Sequence, residues 1–503
     1  MADDHVRNPL DDAQGCDHIA GMDLDHDACY RAIVHRDARF DGRFFTGVKT
    51  TRIYCRPVCP ARTPLSHNVE FFPTAAAAQE AGFRPCLRFR PETAPDLGAW
   101  RGTSNTVSRA LSLIELGALD EDDVDTLAAR LGLGERHLRR LFRQHLGASP
   151  VAVAQTRRIL LAKQLIHETR LPMAEIAFAS GFGSVRRFNE TFRALFGRPP
   201  SELRRLGGAD RPAGPQGEIV LLLRYQPPYD WAAMLEFLRR RAIAGVESVG
   251  ANRYARSVEL NGLHGTVAVE PGAGNALRAT VRFPKLSALP AIIARLRRVF
   301  DLAADPVAIA AHLAKDPTLA PLVKARPGLR VPGAWDGFEL AIRAVLGQQI
   351  TVTAAARLAA RLVAAHGQRL AALDAELTHV FPRPAALASV DLTALGMPRS
   401  RAVALSAVAA AVVAEPHLFD ANCGLEDAVK RLRSIRGVGE WTAQYIALRQ
   451  LREPDAFLAA DIGLLRAIAG REQWRASSFE LLDRANAWRP WRAYAAQHLW
   501  ASG

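Results

Sequence analysis

From Val124 onward the apolar positions of the chain recur at intervals of three and four: Val124, Leu127, Ala128 and Leu131, then Leu138, Leu141, Phe142 and Leu146. That is the period of a helix with one buried face. It predicts a helix over VDTLAARLG, a turn at Leu133–Gly134 and a second helix over ERHLRRLFRQHLG. The pattern returns in MAEIAFASGF, a turn at Gly183, and SVRRFNETFRALFG, with PVAVAQTRRILLAKQLIHET as a long helix between the two pairs. In front of them, from Asp27 to about Pro91, β-favouring runs (FFTGVKTTRIYC, HNVEFF) flank an alanine-rich helix, TAAAAQEAGF. Gly and Pro dominate residues 207–217, GGADRPAGPQG, which reads as a linker. Beyond it EIVLLLRYQPPYDW, a helix and short strands to about Phe283 predict an α/β stretch, and helical spacing runs from about 288 to the end. Residues 1–24 carry Asp and His without apolar period and read as a disordered tail. The expected division is therefore 25–94, 101–206, the linker 207–217, 218–300 and 301–503.

Composition changes this picture in three ways. At 503 residues the chain exceeds what a single core reaches, and 49% apolar content supplies several. No stretch approaches the roughly 20 uncharged apolar residues of a membrane span, and the start lacks the basic and apolar regions of a secretory signal, so a cytoplasmic location is expected. A net charge of +14, carried mostly by arginine, points to a polyanionic partner. The tail is acidic, so the excess charge lies further along. Six cysteines without a secretory signal do not suggest a disulfide framework, but three of them cluster.

Opposite the apolar face of the second helix stand Arg136, Arg139, Arg140 and Arg143, and the later pair places Arg186 and Arg187 similarly. A helix built this way packs on its scaffold while entering a DNA groove. The string IAFASGFGSVRRFNETFRALFGRPPSELR resembles the second half of an AraC-type DNA-binding domain, and the likeness extends over about 105–206.

Within TTRIYCRPVCPAR, Cys55 and Cys59 form a C-x3-C pair, and RPCLRFRPE adds Cys86 after 26 further residues. In a unit too small for a comfortable core, such a set suits a structural zinc ion. The unit resembles the N-terminal domain of adaptive-response (Ada) regulators, in which four cysteines hold zinc and one thiolate takes a methyl group from a DNA phosphotriester. The resemblance implies Cys55 as methyl acceptor, Cys55, Cys59 and Cys86 as zinc ligands, and Thr51 and Arg62 near the phosphate. It also implies a transcription activator that works with RNA polymerase. A fourth cysteine is expected at position 89, where this chain has Phe89. Water or a histidine such as His67 completing the site, and a metal-free domain with inert thiols, both stay open. Arg52 replaces a glycine of the family string.

The most informative strings are LRSIRGVGEWTAQYIALR and AFLAADIGLLR. A Gly-Val-Gly hairpin between helices exposes backbone N–H groups that bind a phosphate, and Gly437 and Gly439 permit the turn and close approach of a strand. Asp461 follows Gly439 by 22 positions, at the start of another helix. This pairing resembles the helix-hairpin-helix DNA glycosylases. Members that also cut the backbone carry a lysine where this chain has Trp441, so hydrolysis by water is implied. Only Cys423 lies in this half, too few thiols for an iron–sulfur cluster. Residues 220–503 resemble the AlkA-like 3-methyladenine glycosylases in YQPPYDWAAMLEFLRRRAIAGVESV, KARPGLRVPGAWDGFELAIRAVLGQQITV, ALGMPRSRA and WRPWRAYAAQHLW. The fold implied is multidomain and mainly α: a small α+β zinc-type domain, a double helix-turn-helix, an α+β subdomain and a helix-hairpin-helix body.

The same resemblance implies excision of alkylated purines without a cofactor. Trp441, Tyr445, Phe237 and Trp500 would form an aromatic cleft for a cationic base, and Asp461 would stabilise the sugar cation and orient water. The base must leave the duplex, and Gln349 aligns with the residue that fills the gap. Ile462 stands where the family has tyrosine. Two rival readings are a glycosylase with a non-sensing N-terminal tether, which Phe89 supports, and a transcription factor with a vestigial glycosylase half. No Pro-Cys-His-Arg motif of an O6-methylguanine transferase occurs in the chain.

Overall fold

The computed structural model describes residues 24–87, 89–94, 105–206, 218–370, 376–421, 423–472 and 477–502. The linker 207–217 and residues 1–23 of the tail lie outside the described residues.

The N-terminal unit is a four-stranded sheet in the order β3-β1-β2-β4, with β1 Phe45–Val48, β2 Ile53–Cys55, β3 Val69–Phe72 and β4 Arg84–Pro85. The alanine-rich helix forms over Ala75–Glu80, its first turn capped by the Thr74 hydroxyl. It packs Ala75 and Ala78 against Phe45, Tyr54 and Phe83. A further helix, His26–Val34, was not apparent from apolar spacing; Asp25 caps it, and Cys29, Ala32 and Ile33 close a second small core with Phe44 and Val69. Two cores this small need anchoring. Lys163, 0% exposed, pairs with Glu92, 1% exposed, at 2.5 Å, and its ammonium also donates to the Cys86 carbonyl at 2.7 Å.

The helix-turn-helix pairs form at Val124–Arg130 with Glu135–Leu146 and at Met173–Ala179 with Val185–Phe196. The second helices bury residues at a spacing of four, Leu138, Phe142 and Leu146 in one and Phe188, Phe192 and Phe196 in the other; Leu141 is half-buried. Pro150–Glu168 joins the pairs.

A second sheet follows in the order β5-β9-β8-β7-β6, antiparallel throughout: β5 Ile219–Arg224, β6 Glu247–Val249, β7 Tyr254–Leu260, β8 Leu263–Gly272 and β9 Ala276–Arg282. Its edge strand β5 is not left bare. The Leu222 N–H donates to Glu168 at 3.1 Å and its carbonyl accepts from Gln164 at 3.0 Å, so the long helix covers an edge that would otherwise pair with another chain. One apolar core runs from Ile159 through Phe188 and Leu203 into Leu221, Val267 and Leu296. The helical body has its own core, from Ile243 to Leu499. No described helix is long and apolar enough to cross a membrane.

Candidate active site

Leu425–Arg433 and Glu440–Ile446 are the two helices of the hairpin. Gly437 sits at φ +86°, and a Cβ there would lie 2.2 Å from the Ala404 Cβ on helix Arg399–Ala414. Both the backbone conformation and the helix contact exclude a side chain. Gly439 is different: it has ordinary φ and nothing lies within 4 Å of its added Cβ, so the protein itself does not require glycine there. Gln348, not anticipated from sequence, ties the hairpin down by donating to the Gly437 carbonyl at 3.0 Å and the Thr442 hydroxyl at 3.1 Å. Its neighbour Gln349 is exposed at φ +59°. Gly437→Ala is expected to lower stability by at least about 2 kcal/mol, from left-handed strain plus the clash, as a reduced denaturant midpoint read by tryptophan fluorescence.

Asp461 begins helix Ile462–Glu472, where its Oδ1 accepts from the Leu464 N–H at 3.0 Å as an N-cap. Two indoles fix the carboxylate further. Trp441 Nε1 donates to Oδ2 at 2.8 Å and Trp500 Nε1 donates to Oδ1 at 2.9 Å. Trp441 and Tyr445, four residues apart on one helix face, stack with centroids 5.1 Å apart and planes 7° from parallel. Phe237, on helix Trp231–Arg241, joins Trp441, Tyr445, Trp500 and Asp461 in lining a cleft of about 610 Å³. That volume suits a small ligand held by an apolar wall and a few polar groups.

Two arginines that the sequence motifs do not single out stand in the cleft wall. Arg241 lies 4.0 Å over the Phe237 ring. Arg449, 2% exposed, lies 4.6 Å over Phe237, 5.4 Å over Tyr445 and 5.4 Å over Trp500. Its guanidinium donates to the Pro332 carbonyl at 2.9 Å and to Gln497 at 3.2 Å, while its Nε is buried without a partner. No carboxylate of the described residues pairs with either arginine. Burial pushes Arg449 down to about 10, so it stays charged at neutral pH. Burial also pushes the Tyr445 phenol up, but Arg449 and Arg241 beside it outweigh burial and hold it below its ordinary value. Spacing contained the signal: Trp441, Tyr445 and Arg449 recur at four, and the helix continues past Tyr445 as a wider π turn, Ala447–Leu451.

In the N-terminal unit the parallel pairing of β2 with β4 brings Cys55 and Cys86 side by side, and the Cys86 N–H donates to the Tyr54 carbonyl at 2.9 Å. Cys59 returns over the turn that follows. The Cys55 thiol hydrogen-bonds both other sulfurs, and those contacts together with burial push its pKa far up. Cys59, through the same bond, is held down at about 7. Phe89 supplies no sulfur, only its backbone N–H, which donates to Cys86 Sγ at 3.4 Å. His67 is exposed and does not join the thiols. Among the described residues the thiols contact one another and are not arranged about an ion; their chemistry fits three positions of a four-coordinate thiolate site. Thr51 and Arg62 are exposed, and Arg52 occupies the turn at φ +54° against Phe83.

Arg136, Arg139, Arg140, Arg186 and Arg187 are all exposed on the second helices of their pairs. Arg139 is bonded to Glu135 and Arg186 to Glu190, each one turn away. These pairs are open to solvent and weak, so a phosphate can displace the carboxylates.

The chain matches four family descriptions: metal binding domain of Ada over 28–92, helix-turn-helix domain over 127–206, AlkA N-terminal domain over 220–336, and HhH-GPD superfamily base excision DNA repair protein over 342–490. It is 41% identical to a probable bifunctional transcriptional activator/DNA repair enzyme AlkA of Mycobacterium tuberculosis H37Rv, over 96% of this chain and 97% of the relative. It is 36% identical to DNA-3-methyladenine glycosylase 2 of Escherichia coli K12, over 55% of this chain and 95% of that protein. A 3-methyladenine DNA-glycosylase from Archaeoglobus fulgidus shares the fold, with a TM-score of 0.50 at 21% identity over 56% of this chain and 96% of that one.

Proposed function

Since the chain belongs to the family of bifunctional transcriptional activator/DNA repair enzymes of the AlkA type, with a helix-hairpin-helix glycosylase body and a helix-turn-helix regulator region, we propose that its substrate is alkylated purine in duplex DNA. The observation that carries this is the Asp461 carboxylate, held by two indole N–H groups at the wall of an aromatic cleft beside the hairpin.

An N3- or N7-alkylated purine carries positive charge, so its bond to the sugar is already weakened and needs no strong general acid. The base leaves the stack and enters between Trp441 and Tyr445 on one side and Phe237 on another. As the N9–C1′ bond breaks, its electron pair goes to the base and the sugar becomes an oxocarbenium ion. Asp461 stabilises that cation and orients the water that adds to C1′. Its two indole bonds keep both oxygens aimed, so little reorganisation is needed. With Trp441 beside the hairpin and no amine there, the product is an abasic site in an intact strand. The hairpin amides grip the backbone nearby while Gln349 fills the vacated space.

The test is chromatography of bases released from dimethyl-sulfate-treated duplex DNA. Methylated purines should appear, with strand breaks only after alkali. No release, or breaks before alkali, overturns the reading.

For the N-terminal half, the convergent thiols support Cys55, Cys59 and Cys86 as ligands of one zinc ion whose fourth position is left to water. Bound zinc would keep the sulfurs ionised at neutral pH. Cys55 would then accept a methyl group from a phosphotriester held near Thr51 and Arg62. Arg136, Arg139, Arg140, Arg186 and Arg187 would hold promoter DNA, and activation would require RNA polymerase. Phe89 favours the second reading, a tether that does not sense damage. Purified protein should contain about one zinc per chain, the count for one such site. Less than about a tenth of that, by elemental analysis, leaves the tether.

A further inference from the structure

The glycosylase reading leaves one feature unexplained: two cations stacked on the aromatics that are meant to receive a cationic base. Arg449 is buried without a carboxylate, and its partners are a backbone carbonyl, an amide, the Tyr445 hydroxyl and three ring faces. Arg241 shares Phe237 and the Tyr445 hydroxyl with it and has no carboxylate partner among the described residues either. Arg241 is one of the groups that disfavour the charge on Arg449. Burying two like charges together without a carboxylate is costly, and a fold needing only volume there has neutral side chains to use.

The wall is polarised along its length. Its first member, Trp441, bonds Asp461, its second, Tyr445, stacks on the first, and Arg449 packs on Tyr445. Along this wall Asp461 therefore stands at one end and Arg449, with Arg241 beside it on Phe237, at the other, while Trp500, bonded to Asp461 and 5.4 Å from Arg449, spans the two. We propose that Arg241 and Arg449 are positioning residues that set an electric field along the cleft, driving positive charge out of the base and onto the sugar beside Asp461. This rests on the glycosylase reading above.

The direction of the field matches the movement of charge. When N9–C1′ breaks, the electron pair moves to N9, so a base that entered as a cation leaves neutral. The positive charge appears on the sugar until water adds to C1′ and releases a proton to solvent. Repulsion between the guanidiniums and the alkylated base is present before bond breaking and relieved as it proceeds. The arginines thus weaken ground-state binding and lower the barrier, which is differential binding of the transition state. Preorganised charge in a site that excludes water is worth more than the same charge in solvent.

The signature is a variant that is slower yet binds more tightly. Arg241→Gln should reduce the single-turnover rate on duplex DNA carrying one 7-methylguanine by ~10-fold, short of the roughly 10²–10³ for a group in direct contact. The half-saturating protein concentration should fall by ~3-fold or more, as repulsion of the cationic base is removed. Arg241→Lys and Arg449→Lys, which keep the charge, should hold the rate within ~3-fold of wild type. Loss of packing alone makes a variant slower and weaker together. If Arg241→Gln behaves that way, or if the lysine variants fall as far as the glutamine one, the field is excluded. Arg449→Gln is a second test if it folds, and Arg241→Gln decides the matter if it does not. Failure of wild type to release 7-methylguanine would instead sink the glycosylase reading itself, so the two failures are distinguishable.

Discussion

Asp461→Asn should lower single-turnover release of methylated purines by about 10²–10³-fold, the cost of losing one charge-stabilising group in a transition state. The substitution is nearly isosteric and asparagine is as good an N-cap as aspartate, so helix Ile462–Glu472 and its bond to the Leu464 N–H survive. What changes is charge and aim. An amide has one oxygen, whereas the carboxylate accepts from Trp441 on Oδ2 and from Trp500 on Oδ1. One indole N–H then faces an NH2 group, and nothing anionic remains to meet the oxocarbenium. Affinity for undamaged duplex should change little, because the hairpin and not Asp461 contacts the strand in this scheme. Turnover near that of wild type would show that the carboxylate is not the catalytic group.

The second large effect lies in the ion network beneath the cleft. Glu339 accepts from Arg256 at 2.7 Å and from Arg343 at 2.6 Å and 2.9 Å. Arg343 also bonds Glu247 at 2.5 Å and donates to the Arg241 carbonyl at 2.7 Å. All four charged groups are largely buried. Glu339→Ala leaves two cations sharing Glu247 alone, and breaking a buried network this way costs about 3–5 kcal/mol. Because Arg343 holds the backbone at Arg241, base release should fall as well. Burial raises the Glu339 pKa, but Arg256 and Arg343 outweigh it and hold the carboxyl at about 2. A carboxylate depressed from its usual 4.5 stabilises the fold fully above that value and loses the contribution as pH falls through 4.5 toward 2. Wild-type denaturation midpoints should therefore drop across that window, and Glu339→Ala should flatten the Glu339 share of the drop. An unchanged midpoint at neutral pH would show the network to be neutral to stability.

Periodicity carried far in this chain because its helices are amphipathic and well capped. Val124, Leu127 and Ala128, then Leu138, Phe142 and Leu146, are buried as their spacing required. Asp461 was legible because a capping carboxylate at a set distance from a Gly-Val-Gly hairpin is a local pattern. Arg241 was not, and Arg449 only as the third residue of the series Trp441, Tyr445, Arg449 spaced at four. In a chain of net charge +14, arginine reads as solvated surface, and stacking on Phe237 depends on contacts between helices far apart in sequence. Gln348 is not set apart from Gln349 by the sequence for a similar reason: its role is a bond to a carbonyl 89 residues away. Helix His26–Val34 presents three buried residues in two turns, too few to establish a period.

The interior shared by Phe188 of the second helix-turn-helix pair and Leu221 of the sheet carries an evolutionary cost. Domains that merely hang from a tether can drift apart in sequence, each answering to its own task. Here a mutation that loosens the second helix of that pair also loosens the scaffold on which the repair cleft is mounted. Regulator and enzyme therefore share one reserve of foldedness, and adapting either to a new DNA target draws on the other.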